Sequence, residues 1–195
     1  MTTHGNNEYQ KMLNGELYDG NYNQELLAKR VKCKDLCFEY NNTKPSDFKK
    51  RKKLLKKLLG KSGENYLIEQ PFFCDYGSNI EIGENFYSNH NLVILDPNKV
   101  IFGDNVFVGP NCSFYTAGHP LEPAIRNKGL EYALPIKVGN NVWFGGNVVI
   151  LPGITIGDNC TIGAGSVVVK DIPPNSVVVG NPCRVIKNLS KEQNN

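Results

Sequence analysis

From Ile68 onward an apolar or small residue recurs every six positions: Ile68, Cys74, Ile80, Phe86 and Leu92, then, after a two-residue slip, Val100, Val106 and Cys112. After an interruption the register resumes at Ile136 and runs through Val142, Val148, Ile154, Cys160, Ser166, Ile172 and Val178. In Ile80–Asn85, Val100–Asn105, Ile136–Asn141 and Ile154–Asn159 a glycine stands three residues after the apolar position and an asparagine closes the hexad. A period of six does not fit a 3.6-residue helix. It suits short strands joined by tight corners, with one apolar side chain per hexad turned inward. Gly and Asn at the corners adopt backbone conformations that other residues resist. Such coils bury a core only by stacking, so the pattern predicts a solenoid of at least about three repeats.

The first third of the chain is helical in character, and the change falls near Gly60–Asn65. The stretch Gln24–Tyr40 predicts a helix with Leu27, Val31, Leu36 and Tyr40 near one face. Ser46 or Asp47 is placed to cap a second helix running to Leu59, with Gly60 as its stop. The basic run Lys49–Lys57 inside it reads as the solvated face of an amphipathic helix. The expected organisation is a helical cap region at 1–64, a solenoid domain at 65–189 interrupted by the loop 116–135, and a tail at 190–195.

Composition narrows the function classes. The 195-residue chain has a formal net charge of +3, too little to call for a nucleic-acid partner. No stretch approaches the ~18 apolar residues of a membrane span, and the N-terminus lacks the charged-then-apolar pattern of a secretory signal. The expectation is a cytoplasmic protein with neither nucleic-acid nor membrane partner. Its six cysteines are scattered, which reads as reduced thiols. Cys33 and Cys37 stand four apart in the first long helix, but a metal site there needs two further ligands and no second cluster is visible, so no metal is expected.

The chemistry is expected where the repeat breaks, because loops on rigid frameworks are where function tends to sit. Thr116–Pro135 carries His119 between Gly118 and Pro120, a setting that suits a general base better than a core histidine. Its alternative is a histidine that only tethers the loop. His4 lies in the N-terminal extension, and His90 follows Asn89 at a corner, so both are weaker candidates. No Gly-x-Ser-x-Gly motif, no Cys beside a His, no P-loop and no dinucleotide fingerprint is present, which argues against covalent, phosphoryl-transfer and hydride-transfer chemistry. Trp143 follows Val142 in the hexad register and should point outward. Gly145, Gly146, Ala164 and Gly165 would let a long ligand lie against the backbone, and Lys170 and Arg184 offer charge to phosphates. Small residues at corners are equally needed by the fold itself.

Gly15–Asp19, Cys74-Asp-Tyr-Gly-Ser-Asn-Ile80, Thr116-Ala-Gly-His-Pro120, Tyr132-Ala-Leu-Pro-Ile136, Asn141-Val-Trp-Phe-Gly-Gly146 and Gly180-Asn-Pro-Cys-Arg184, taken in this order, resemble the maltose and galactoside O-acetyltransferases. The likeness spans Tyr9 to Leu189. It implies a mainly β fold, a left-handed parallel β-helix of hexapeptide coils with an N-terminal α-helical cap and one protruding loop. It also implies acetyl transfer from acetyl-CoA to a sugar hydroxyl without a metal. In that reading His119 takes the hydroxyl proton, and Asn89 holds the sugar and orients the imidazole. Asp19, Asp75, Asp96, Glu131 and Trp143 line the acceptor site, and Trp143, Gly146, Ala164, Val169, Lys170 and Arg184 contact CoA. A homotrimer with its sites between subunits is implied as well.

Three other readings compete. A γ-class carbonic anhydrase shares the β-helix but needs three zinc-binding histidines, and the solenoid offers only His90 and His119. A catalytically silent binding β-helix would have no use for the His119 loop. An acetyltransferase of an amino sugar or an antibiotic on the same fold remains open, and a free amine acceptor would ask less of the base.

Overall fold

The computed structural model describes residues 7–191; His4 and the end of the expected tail, 192–195, lie outside them. Helix α1 (Glu8–Asn14) begins where Asn7 accepts from the Tyr9 amide and ends on Gly15 in a left-handed turn. Helix α2 (Gln24–Asn41) is capped by Asn23, whose side chain accepts from the Leu26 amide at 3.1 Å. Helix α3 (Phe48–Leu58) is capped by Asp47, which accepts from the Lys50 amide at 3.0 Å, so of the two expected caps the aspartate serves.

The buried stripe of α2 is not the expected one. Leu26, Cys33, Cys37 and Tyr40 are buried, whereas Val31 is 58% exposed. Both sets follow helical spacing, and what decides between them is the solenoid wall that α2 meets. The lysines of α3 are solvated as expected, but Arg51 is buried beneath them. Its guanidinium donates to the Ile68 carbonyl at 2.9 Å, to Glu69 at 3.0 Å and to the Pro45 carbonyl at 3.1 Å. These bonds satisfy the charge and tie the cap to the first coil.

The solenoid is a three-sided prism whose walls are sheets of five, five and seven strands, parallel throughout except for the closing strand Arg184–Asn188. Down one wall Lys61, Glu81, Ile101, Lys137 and Thr155 stand above one another. Every hexad position named from the sequence is buried, from Ile68 to Val178. Two side chains per hexad turn inward, not one, as at Ile80 and Ile82 or Leu92 and Ile94. This exposes an error of register in the first and last coils. Ile68 pairs with Ser88, Cys74 with Ile94, Ile172 with Ile156 and Val178 with Ile162, the second inward positions, so the register runs two residues late before Ile80 and again from Ile172. A six-residue period is met equally well by either inward position.

Inside the prism Phe86, Phe102, Phe114 and Phe144 stack edge to face, with ring centroids 5.1, 5.0 and 5.3 Å apart. At one corner Asn85, Asn105, Asn141, Asn159 and Asn175 all adopt positive φ. Their amides donate down a ladder at 3.0, 3.2, 3.0 and 2.9 Å. The accompanying glycines serve space instead of φ: a Cβ on Gly103 would lie 2.8 Å from the Gly139 carbonyl oxygen.

Candidate active site

The departures from the hexad stack at a single corner of the prism, the one following strands Phe72–Cys74, Leu92–Leu95 and Ser113–Tyr115. The first two coils insert two residues there, and the third inserts the whole of Thr116–Pro135. In that loop strand Ala117–Gly118 pairs antiparallel with Leu130–Ala133, which pairs in turn with Tyr18–Asp19 from the cap region. A single-turn helix, α4 (Pro123–Arg126), forms the tip. Asn98, at the corner of the second coil, locks the arrangement by donating to the Met12, Leu13 and Ala133 carbonyls at 3.3, 3.1 and 2.8 Å.

His119 is exposed on this corner, and its Nδ1 lies 3.3 Å from the Leu130 carbonyl oxygen. A carbonyl can only accept, so Nδ1 carries a proton, and in the neutral ring the lone pair falls to Nε2. Asp19 stands opposite Leu130 in the strand register, so the carboxylate and the imidazole flank one backbone position. One Asp19 oxygen accepts from the Asn21 and Tyr22 amides at 3.2 and 2.8 Å. Asp75 is half-buried, and its carboxylate has no hydrogen-bond partner among the described residues. Burial raises its pKa, against the pull of Arg30 and Lys34. Arg30 is a member of this corner that the sequence did not single out; it also donates to the Gly20 carbonyl. Its only signal was a basic residue on a cap helix, which nothing in the pattern relates to Asp75.

Two expected acceptor-site carboxylates are buried within the single chain. Asp96 is fully buried under the preceding corner, where its Oδ1 accepts from the Asp75 and Tyr76 amides at 2.9 Å each. Burial pushes its carboxyl up to about 7, against the lowering effect of those amides. Glu131 is also buried, and it accepts from the Tyr18 hydroxyl at 2.8 Å. Both support the corner from within, because the strand pairing and the stacked coils turn them away from solvent.

The remaining expected residues lie on other parts of the prism. Asn89 sits at the next corner, after strand Phe86–Ser88, with its side-chain oxygen accepting from the His90 amide at 2.7 Å. Within one chain the partner that orients His119 is therefore Leu130, not Asn89. Gly146 and Ala164 share Asn89's corner two and three coils along, where the Gly165 amide donates to the Gly146 carbonyl at 2.9 Å. Trp143 is 58% exposed beside Phe107, outward as expected. Val169 and Lys170 are exposed on the His119 corner two coils further on. Arg184 is exposed at the start of the closing strand.

Residues 11–63 match the model of the maltose acetyltransferase hexapeptide capping motif, and residues 135–170 match that of the bacterial transferase hexapeptide. The galactoside O-acetyltransferase of Escherichia coli is 51% identical over 165 residues, 85% of this chain and 81% of that one. A crystal structure of a maltose O-acetyltransferase from Clostridium difficile superposes with a TM-score of 0.91 at 52% identity, covering 93% of this chain and 97% of that chain. A galactoside acetyltransferase in complex with coenzyme A superposes at 0.90 with 46% identity, covering 94% and 92%. With cap, solenoid and loop all matched over most of both chains, this chain belongs to the maltose and galactoside O-acetyltransferase family, built on the left-handed parallel β-helix of hexapeptide-repeat acyltransferases.

Proposed function

We propose that the protein transfers the acetyl group of acetyl-CoA to a hydroxyl of a galactoside- or maltose-type sugar, with His119 as the general base. The observation that carries this reading is the Nδ1–H···O=C bond from His119 to Leu130, which leaves Nε2 free on an exposed corner. The acceptor hydroxyl oxygen attacks the thioester carbonyl carbon as its proton passes to Nε2. When the tetrahedral intermediate collapses, the C–S bond breaks and His119 returns that proton to the departing CoA sulfur. Asp19 and Asp75 are the carboxylates positioned to accept from sugar hydroxyls, with Arg30 opposing the burial that raises the pKa of Asp75.

CoA would run along the later coils. Gly146 and Ala164 leave room for the pantetheine arm, Trp143 and Val169 offer apolar contact, and Lys170 and Arg184 meet the phosphates. Asn89, Gly146 and Ala164 lie one corner away from His119, so a complete site calls for the neighbouring corner of a second subunit, as a homotrimer of prisms would supply. Six free thiols and an acyl-CoA donor suit the cytoplasm.

The test is thiol release from acetyl-CoA with sugars, amino sugars and chloramphenicol as acceptors, wild type beside His119→Ala. Release driven by a sugar and lost in the variant supports the reading. Release driven only by an amine, or retained in the variant, overturns it.

A further inference from the structure

Cys33 and Cys37 face each other one turn apart on α2, and the ligands that the sequence did not offer them come in part from the solenoid. Cys74, at the end of strand Phe72–Cys74, brings its sulfur to 3.6 Å from that of Cys33 and 3.7 Å from that of Cys37. All three sulfurs lie within 4.8 Å of one another, and all three residues are buried. A tetrahedral ion with metal–sulfur bonds of about 2.3 Å separates its sulfur ligands by roughly 3.8 Å. The two distances from Cys74 match the edges of such a tetrahedron, and the third pair lies within 4.8 Å.

We propose that Cys33, Cys37 and Cys74 form a three-thiolate site for a thiophilic closed-shell cation of the zinc type, one that joins the helical cap to the solenoid. Soft thiolate ligands select such ions over hard cations such as magnesium or calcium. A cavity of about 490 Å³ whose wall includes Cys37, Cys74, Lys34 and Asp75 adjoins two of the three thiols, which gives an ion an entry path. Each thiol releases its proton on binding, so three thiolates and a divalent ion leave one net negative charge. Lys34 and Arg30, the cations that already act on Asp75, stand on the same helix face. The bond network would cross-link two parts of the chain that otherwise meet through packing, hydrogen bonds and the Arg51–Glu69 ion pair. None of the three ligands is a group assigned to the acetyl transfer, and although Cys74 adjoins Asp75, metal binding is read without turnover.

Chelator-treated full-length protein would be titrated with Cd²⁺, following the ultraviolet thiolate-to-metal absorption, and then challenged with Zn²⁺. The expected result is one equivalent per chain, which Zn²⁺ at equal concentration does not displace because thiolates hold the softer Cd²⁺ more tightly, absent in Cys74→Ser and in Cys37→Ala, and retained in Cys160→Ser, whose thiol lies in a distant coil. Zn²⁺ should also raise the melting temperature of the wild type and protect three of its six thiols from alkylation in the native state, readouts that need no variant to fold. A wild type that binds no stoichiometric Cd²⁺ or gains no thiol protection would show these thiols to be packing cysteines. So would binding that persists in folded Cys74→Ser.

Discussion

Two corners of the same prism are built from the same coils and behave differently. At the corner of Asn85, Asn105, Asn141, Asn159 and Asn175 each coil repeats the one below, so side-chain amides bond to their own kind and nothing is left to bind a ligand. At the corner of Asp75, Asp96 and Thr116–Pro135 the coils differ in length, and no ladder forms. There the polar groups either turn inward as supports, as Asp96 and Glu131 do, or keep hydrogen-bonding atoms without a partner among the described residues, as the Asp75 carboxylate and His119 Nε2 do. Regularity uses up hydrogen-bonding capacity, and its interruption is what leaves capacity for a substrate.

The contrast can be broken from either side. The largest effect expected is on the irregular corner: His119→Ala should lower turnover about a hundredfold or more, roughly 2.7 kcal/mol in transition-state stabilisation. Its melting temperature and its affinity for acetyl-CoA, measured by scanning calorimetry and titration calorimetry, should stay near those of the wild type. On the regular corner Asn105→Ala should do the reverse. It loses two ladder bonds and forces alanine into a positive φ, so denaturant titration should show a cost of about 2 kcal/mol with turnover unchanged. Asn105→Gly keeps the backbone at ease and should cost only about 1 kcal/mol, the ladder share alone.

A pH series sharpens the comparison further. The Asp96 carboxyl titrates higher in the fold, at about 7, than in the unfolded chain, where it sits near the ordinary aspartate value of 3.8. Between those values the folded state holds more protons, so this group makes stability fall as pH rises from about 4 to about 7, by at most ~1.4 kcal/mol per pH unit. Asp96→Asn keeps an oxygen for the Asp75 and Tyr76 amides and should flatten that slope in denaturation curves taken across the window. An unchanged slope would mean that Asp96 is not the group buried against its charge.

Much of the fold was legible because it is local and repeated. The six-residue period marks burial coil by coil, and Val142 places Trp143 outward by alternation alone. The caps at Asn23 and Asp47 are bonds between near neighbours, although only the second was read from the sequence. The site was legible in a different degree. His119 stood out because it breaks the repeat, and its neighbourhood with Asp19 depends on a strand pairing between residues more than a hundred positions apart. The same separation hid the fates of Asp96 and Glu131. An acidic residue in a loop looks like a ligand whether its carboxylate faces solvent or the Tyr18 hydroxyl.

By itself the sequence determined the solenoid, its asparagine corner and the place where regularity fails, because each follows from side-chain alternation and turn chemistry within a few residues. Tertiary structure alone decided which face of α2 is buried, that Arg30 stands by Asp75, that Cys74 completes a triad of thiols with Cys33 and Cys37, and that Leu130 orients His119. Those contacts join segments far apart in the chain, and a stacked coil determines its neighbours' spacing without revealing which distant segment will pack against its wall.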